Sequence, residues 1–91
     1  MARSYIALDT HCSSTDMAVV DMAGKLIQRQ RCETTIPALL AAVASVQRPR
    51  WLTFEEGPLA GWLARNLRGA ADELIVRSPP QRPGRQGERQ G

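Results

Sequence analysis

The stretch SYIALDTHCSSTDMAVVDMAGKLI, residues 4–27, contains two short apolar runs, and each of them ends on an aspartate. The first run, Tyr5 to Leu8, is continuously apolar, which is typical of a strand buried on both faces of a sheet. Asp9 follows where that strand is expected to leave the core. An aspartate at the end of a strand indicates either a capped turn or a functional carboxylate, and both readings stay open at this point.

The residues after Asp9 predict an antiparallel meander of three strands. Residues 17–20 form the second apolar run, the sequence DMAG at residues 21–24 favours a turn, and residues 25–32 alternate between apolar and polar side chains. A helix is expected next, because four apolar residues recur at helical spacing. The buried stripe of this helix is predicted to consist of Leu39, Leu40, Val43 and Val46.

The stretch WLTFEEGPLAGWLARNLRG, residues 51–69, repeats the opening pattern. An apolar strand at residues 51–54 ends on the carboxylates of Glu55 and Glu56, directly before a second helix. Residues 73–76 then predict a fifth strand. The element order is therefore β-β-β-α-β-α-β, which indicates an α/β domain with a mixed five-stranded sheet.

This element order predicts where the carboxylates meet. The first, fourth and fifth strands are expected to run parallel, with the first strand in the middle of the sheet. Asp9 and Glu55 would then lie where the strand order reverses, which is the usual place for a site in such sheets. Two neighbouring carboxylates repel each other, so a hard divalent cation such as Mg²⁺ is expected between them. A two-metal site for phosphoryl transfer generally uses more acids than these two.

Length and composition exclude several classes of protein. With 91 residues, 43% of them hydrophobic, the chain suits one small domain. The sequence has no run of about 18 apolar residues and no signal-peptide pattern at its N-terminus, so we expect a cytoplasmic protein with no membrane association. Cys12, Cys32 and the single histidine, His11, make neither a zinc ligand set nor a disulfide framework.

The net charge of +3 is concentrated near the C-terminus. Residues 77–91 are rich in arginine, proline and glycine and contain no large apolar side chain. Such a segment buries too little surface to offset the entropy of ordering it, so residues 77–91 are predicted to be a disordered tail. The basic charge is therefore weak support for a specific anionic partner.

Three segments carry a family resemblance: YIALDTHCSSTDMAVVDMAGKLI, TFEEGPLAGWLARNL and DELIV. In order and spacing they resemble the N-terminal domain of the DEDD-type insertion-sequence transposases, the IS-one-ten family, over residues 4–76. The resemblance implies a ribonuclease H-like fold, like that of Holliday-junction resolvases. It also implies that Asp9 and Glu55 are the first two catalytic acids and Mg²⁺ ligands, with Glu56 as the alternative second acid.

The family resemblance also implies partners and activity. Transposases of this family recombine DNA by magnesium-dependent phosphodiester cleavage and strand transfer, and structured RNA can guide their choice of target. Where the family continues with a Cys-Asp-Pro-Arg-Arg-like stretch and two further aspartates, this chain reads VRSPPQRPGRQGERQG from Val76. We therefore expect a fragment that is catalytically incomplete, truncated by a frameshift near the Val76 codon.

Two other functional classes remain open. Sugar-kinase and actin-like ATPases also begin with an apolar strand, an aspartate, a Ser/Thr turn and a hairpin ending in Asp-x-x-Gly-Lys, but the turn DTHCSST lacks the glycine that lets backbone approach a phosphate. The third class is a non-catalytic module that binds DNA, RNA or an intact transposase. The strands at the sheet edge also make self-association an open possibility.

Overall fold

In the computed structural model, which describes residues 2–78, three strands are followed by two helix–strand units. The strands are β1 (Ser4–Thr10), β2 (Ser14–Val20), β3 (Leu26–Glu33), β4 (Arg50–Glu55) and β5 (Glu73–Arg77). The helices are α1 (Ile36–Ala44) and α2 (Ala60–Leu67), and a short 3-10 turn at Arg68–Ala70 follows α2. The predicted element order is confirmed. Arg77 belongs to β5, and residues 79–91 of the predicted tail lie outside the described residues.

The five strands form one mixed sheet in the order β3-β2-β1-β4-β5. Strand β1 is central, as predicted: it pairs antiparallel with β2 and parallel with β4, and β4 pairs parallel with β5. The β2–β3 turn follows from local chemistry. Gly24 adopts a φ of 85°, which a residue with a Cβ adopts only rarely, and the Asp21 carboxylate accepts hydrogen bonds from two backbone N–H groups of the turn.

The hydrophobic core lies between one face of the sheet and the two helices. Since side chains alternate along a strand, every second strand residue faces this core. The strands contribute Ile6, Leu8, Met17, Val19, Leu52 and Phe54. The helices and the residues after them contribute Leu39, Ala42, Val43, Val46, Leu63 and Leu67. None of the described helices is long and apolar enough to span a membrane.

The prediction that Leu40 belongs to the buried stripe of α1 is wrong. Leu40 is 36% exposed, whereas Leu39 is fully buried. Consecutive residues of a helix are separated by about 100° around its axis, so Leu40 lies off the face that Leu39 buries. Ala42 takes the corresponding place in the core.

The expectation that β1 is buried on both faces is also wrong. Ala7 is exposed and Tyr5 only half-buried, while Ile6 is fully buried. Both helices pack on the same side of the sheet, and no described element covers the other side, which we call the open face. The strand registers assign to it Tyr5, Ala7 and Asp9 of β1, Asp16, Ala18 and Val20 of β2, Arg29 and Arg31 of β3, Trp51, Thr53 and Glu55 of β4, and Glu73, Ile75 and Arg77 of β5.

Candidate carboxylate site on the open face

A row of five charged side chains crosses the open face at the carboxyl ends of β1 and β4. Its members, taken from β3 to β5, are Arg31, Asp16, Asp9, Glu55 and Arg77. Asp9 is the register partner of Asp16, and it neighbours Glu55 because Ala7 and Thr53, two residues earlier, are register partners. All five line one open concavity. We call them the carboxylate row: three carboxylates in the middle and a guanidinium at each end.

Asp9 is held in the row by the strand itself. It belongs to β1 rather than to the turn, and its side chain is 76% exposed. The imidazole Nε2 of His11 lies 3.5 Å from its carboxylate. The turn that carries His11 is fixed, because the His11 N–H donates to the Ser14 carbonyl at 2.9 Å and its carbonyl accepts from the Thr34 hydroxyl at 2.6 Å.

Asp16 is the site residue that the sequence reasoning missed. The second strand was expected to begin at Met17, but β2 begins at Ser14, because the tight β1–β2 turn lets both strands extend further. Counting outward from that turn would have paired Asp16 with Asp9. Arg31 donates to Asp16 from Nε at 2.9 Å and from a terminal nitrogen at 3.4 Å. These hydrogen bonds hold the pKa of the Asp16 carboxyl below its usual value, so it stays ionised.

The structure brings the two predicted acids to neighbouring strands. Glu55 is the last residue of β4 and alternates with Thr53 onto the open face, where its register partner on β5 is Arg77. Glu56 follows the strand, and its backbone N–H donates to the Arg77 carbonyl at 2.8 Å. Strand phase therefore favours Glu55 over Glu56 as the member of the row.

One group of possible metal ligands among the described residues differs from the predicted pair. Within the described part of the chain, Asp9, His11 and Asp16 each offer a ligand atom, and these atoms lie within 4.8 Å of one another. Glu55 lies on the other side of Asp9 from this group. Carboxylate oxygens are the donors that Mg²⁺ prefers, so the row has suitable chemistry for a hard divalent cation centred on Asp9.

No model of a known protein family matches the chain, and a search of curated proteins found no match. The position and chemistry of the residues in the carboxylate row are therefore the basis on which a function can be proposed.

Proposed function

We propose that the chain is part of a DNA transposase of the DEDD insertion-sequence type with a ribonuclease H-like fold. In this proposal Asp9 and Glu55 hold Mg²⁺ for the cleavage of DNA phosphodiesters and strand transfer. One observation carries it: Asp9 and Glu55 lie on the adjacent parallel strands β1 and β4, on the same uncovered face, where the strand order reverses.

The chemistry of the row is suited to this role. Mg²⁺ bound there would neutralise charge on a phosphodiester and activate the attacking oxygen. Asp9 and Glu55 would supply hard oxygen ligands from neighbouring strands, and Asp16, ionised through Arg31, adds negative charge beside Asp9. The site is open enough for a large substrate, since Asp9 and Glu55 are both exposed.

We expect this chain alone to cleave DNA little or not at all. The resemblance assigns two of its carboxylates to the four acids of the DEDD set, and each missing ligand weakens metal binding. Asp16 adds a third carboxylate to the row, but its oxygens are already hydrogen-bonded by Arg31. Magnesium-dependent nicking of DNA by the pure chain, abolished by Asp9→Ala, would contradict this expectation.

The hydrogen bonds of the β1–β2 turn do not favour the ATPase alternative. In phosphate-binding turns the backbone N–H groups point at the phosphate. Here the His11 N–H is bonded within the hairpin, to the Ser14 carbonyl, and Thr34 N–H donates to the Ser13 carbonyl of the same turn. The turn is thus tied to β2 and to the start of α1.

The metal site is tested by titrating Mg²⁺ into the 91-residue chain while amide chemical shifts are recorded by NMR. We expect weak binding, with shifts centred on the carboxylate row, that Asp9→Asn and Glu55→Gln each weaken at least about tenfold, because each removes a charged ligand. Glu56→Gln is the matched control and should leave the affinity unchanged. Shifts elsewhere in the chain, no binding, or equal loss in the Glu56 variant would refute the assignment.

A further inference from the structure

Strand β5 forms one edge of the sheet that the described residues build. One of its edges pairs with β4, and among the described residues no strand pairs with the other. Its sequence, ELIVR, places three consecutive apolar residues between Glu73 and Arg77. Ile75 is 41% exposed and Val76 38% exposed. An edge of this kind is a template for pairing with another strand.

The backbone geometry of β5 shows which groups face that edge. The Arg77 carbonyl accepts from the Glu56 N–H at 2.8 Å, so Arg77 directs its backbone groups toward the β4 side. Successive residues of a strand direct their N–H and C=O groups to opposite edges. Leu74 and Val76 therefore direct theirs to the free edge, where they are available to a partner strand.

We propose that β5 pairs with β5 of a second copy of this chain, antiparallel, with the two-fold axis at Ile75. In this register Leu74 lies opposite Val76 of the second copy, and each such pair exchanges both of its N–H···O=C hydrogen bonds. The N–H and C=O groups that these pairs need are those that Leu74 and Val76 direct to the free edge. The two sheets then join into one continuous sheet, with both open faces on the same side.

Charge complementarity selects this partner and this register. Pairing centred on Ile75 places Glu73 opposite Arg77 of the second copy, and the symmetry axis repeats that contact. Both side chains lie on the open face in closely spaced, non-hydrogen-bonded positions, where opposite charges stabilise a strand pair. The two exposed Ile75 side chains meet between them and are removed from water.

The other edge strand, β3, brings like charges together when it pairs with itself about its middle. An antiparallel pairing of β3 with itself centred on Gln30 places Arg29 opposite Arg31 of the second copy. Like charges directly opposite each other destabilise a strand pair, and charged side chains are a common protection of sheet edges. The charged residues therefore favour self-pairing through β5 over self-pairing through β3.

The proposal is tested by sedimentation equilibrium of the 91-residue chain over a range of concentrations. We expect a monomer–dimer equilibrium that Ile75→Lys abolishes, because it places two ammonium groups at the two-fold axis. Ile27→Lys is the matched control: Ile27 is 52% exposed and lies on β3, so this variant should dimerise like the unchanged chain. Circular dichroism of each variant shows whether the fold is retained.

A charge reversal tests the register. Glu73→Lys places a lysine opposite Arg77 of the second copy twice, and we expect the dimerisation constant to fall at least about tenfold. The double variant Glu73→Lys/Arg77→Glu exchanges the two charges and should restore the original affinity. A chain that stays monomeric up to about 1 mM, a dimer dissociated by Ile27→Lys instead of Ile75→Lys, or a double variant no better than the single one would overturn the proposal.

Discussion

The two faces of the sheet are built from the same strands but meet different surroundings. On the helix side, large apolar side chains such as those of Ile6, Val19 and Leu52 are fully buried. Their neighbours on the open face, Ala7 and Ala18, are small, and the carboxylate row lies beside them. The difference teaches that the free energy of folding comes mainly from one face, while the other is free to carry charged chemistry.

The largest expected difference in stability between the two faces comes from changing two adjacent residues of β4. Leu52→Ala empties a fully buried position on the helix side and should lower the free energy of unfolding by about 2–5 kcal/mol. Urea denaturation followed by tryptophan fluorescence and circular dichroism measures it. For a small domain this loss is a large part of the total stability.

The control for Leu52→Ala is Thr53→Val, one residue along on the open face. The Thr53 hydroxyl is buried without a hydrogen-bond partner among the described residues, so replacing it with a methyl group removes an unpaired polar atom. We expect the stability to be unchanged or slightly higher. Equal destabilisation by the two variants would mean that the open face is packed against something too.

The strand order could be predicted from the sequence because it follows from local patterns. Alternation, the Asp21–Gly24 turn and helical spacing are all local signals, and the rules for connecting strands then placed β1 at the centre. The uncovered face was not predicted. The run Tyr5–Leu8 is apolar throughout, and periodicity cannot say whether a second layer exists to cover alternate residues.

The candidate site was predicted in part, for a similar reason. Asp9 and Glu55 each follow an apolar run directly, so their place at the strand ends could be read along the chain. Asp16 comes to Asp9 through pairing across a hairpin, and its position depends on where the turn begins. Its guanidinium partner, Arg31, lies fifteen residues further along the chain, on the next strand. Such contacts depend on the register of the strand pair, because a shift of one residue would move the side chains of a strand to the opposite face of the sheet.

A smaller effect is expected where the open face does carry packing. The Arg3 guanidinium lies 4.2 Å from the centroid of the Trp51 ring, and the Tyr5 and Trp51 rings meet edge to face with centroids 5.8 Å apart. Removing the cation by Arg3→Ala should lower the free energy of unfolding by about 0.5–1 kcal/mol. The same urea titration measures this loss.

The matched control for Arg3→Ala is Arg29→Ala. Arg29 lies on the same face, on β3, and makes no ion pair or cation–π contact within residues 2–78. Its removal should lower the stability less than the removal of Arg3, because its charge only attracts the nearby Asp16 carboxylate without a direct contact. If both variants lost the same amount, net charge rather than the aromatic contact would explain the loss of the Arg3 variant.

The smallest effect concerns Asp16, whose exposed carboxylate is paired with Arg31. The hydrogen bond from Arg31 holds the pKa of Asp16 in the folded chain below its ordinary value of 3.8. A carboxyl with a lowered folded pKa stabilises the fold above its unfolded pKa, and this contribution is lost as the pH falls through the folded value. Asp16→Asn should therefore be less stable than the unchanged chain at neutral pH. The difference should disappear on acidification below 3.8.

Unfolding free energies measured as a function of pH check this, with Arg31→Gln as the partner variant. Arg31→Gln removes the same hydrogen bond from the other side, so it should lose stability over the same pH range and by a similar amount. Because the pair is exposed, added salt should reduce both losses. A loss in Asp16→Asn that persists well below pH 3.8 would mean that the side chain stabilises the fold by packing and not by charge, which would bring the open face closer to the helix side in character.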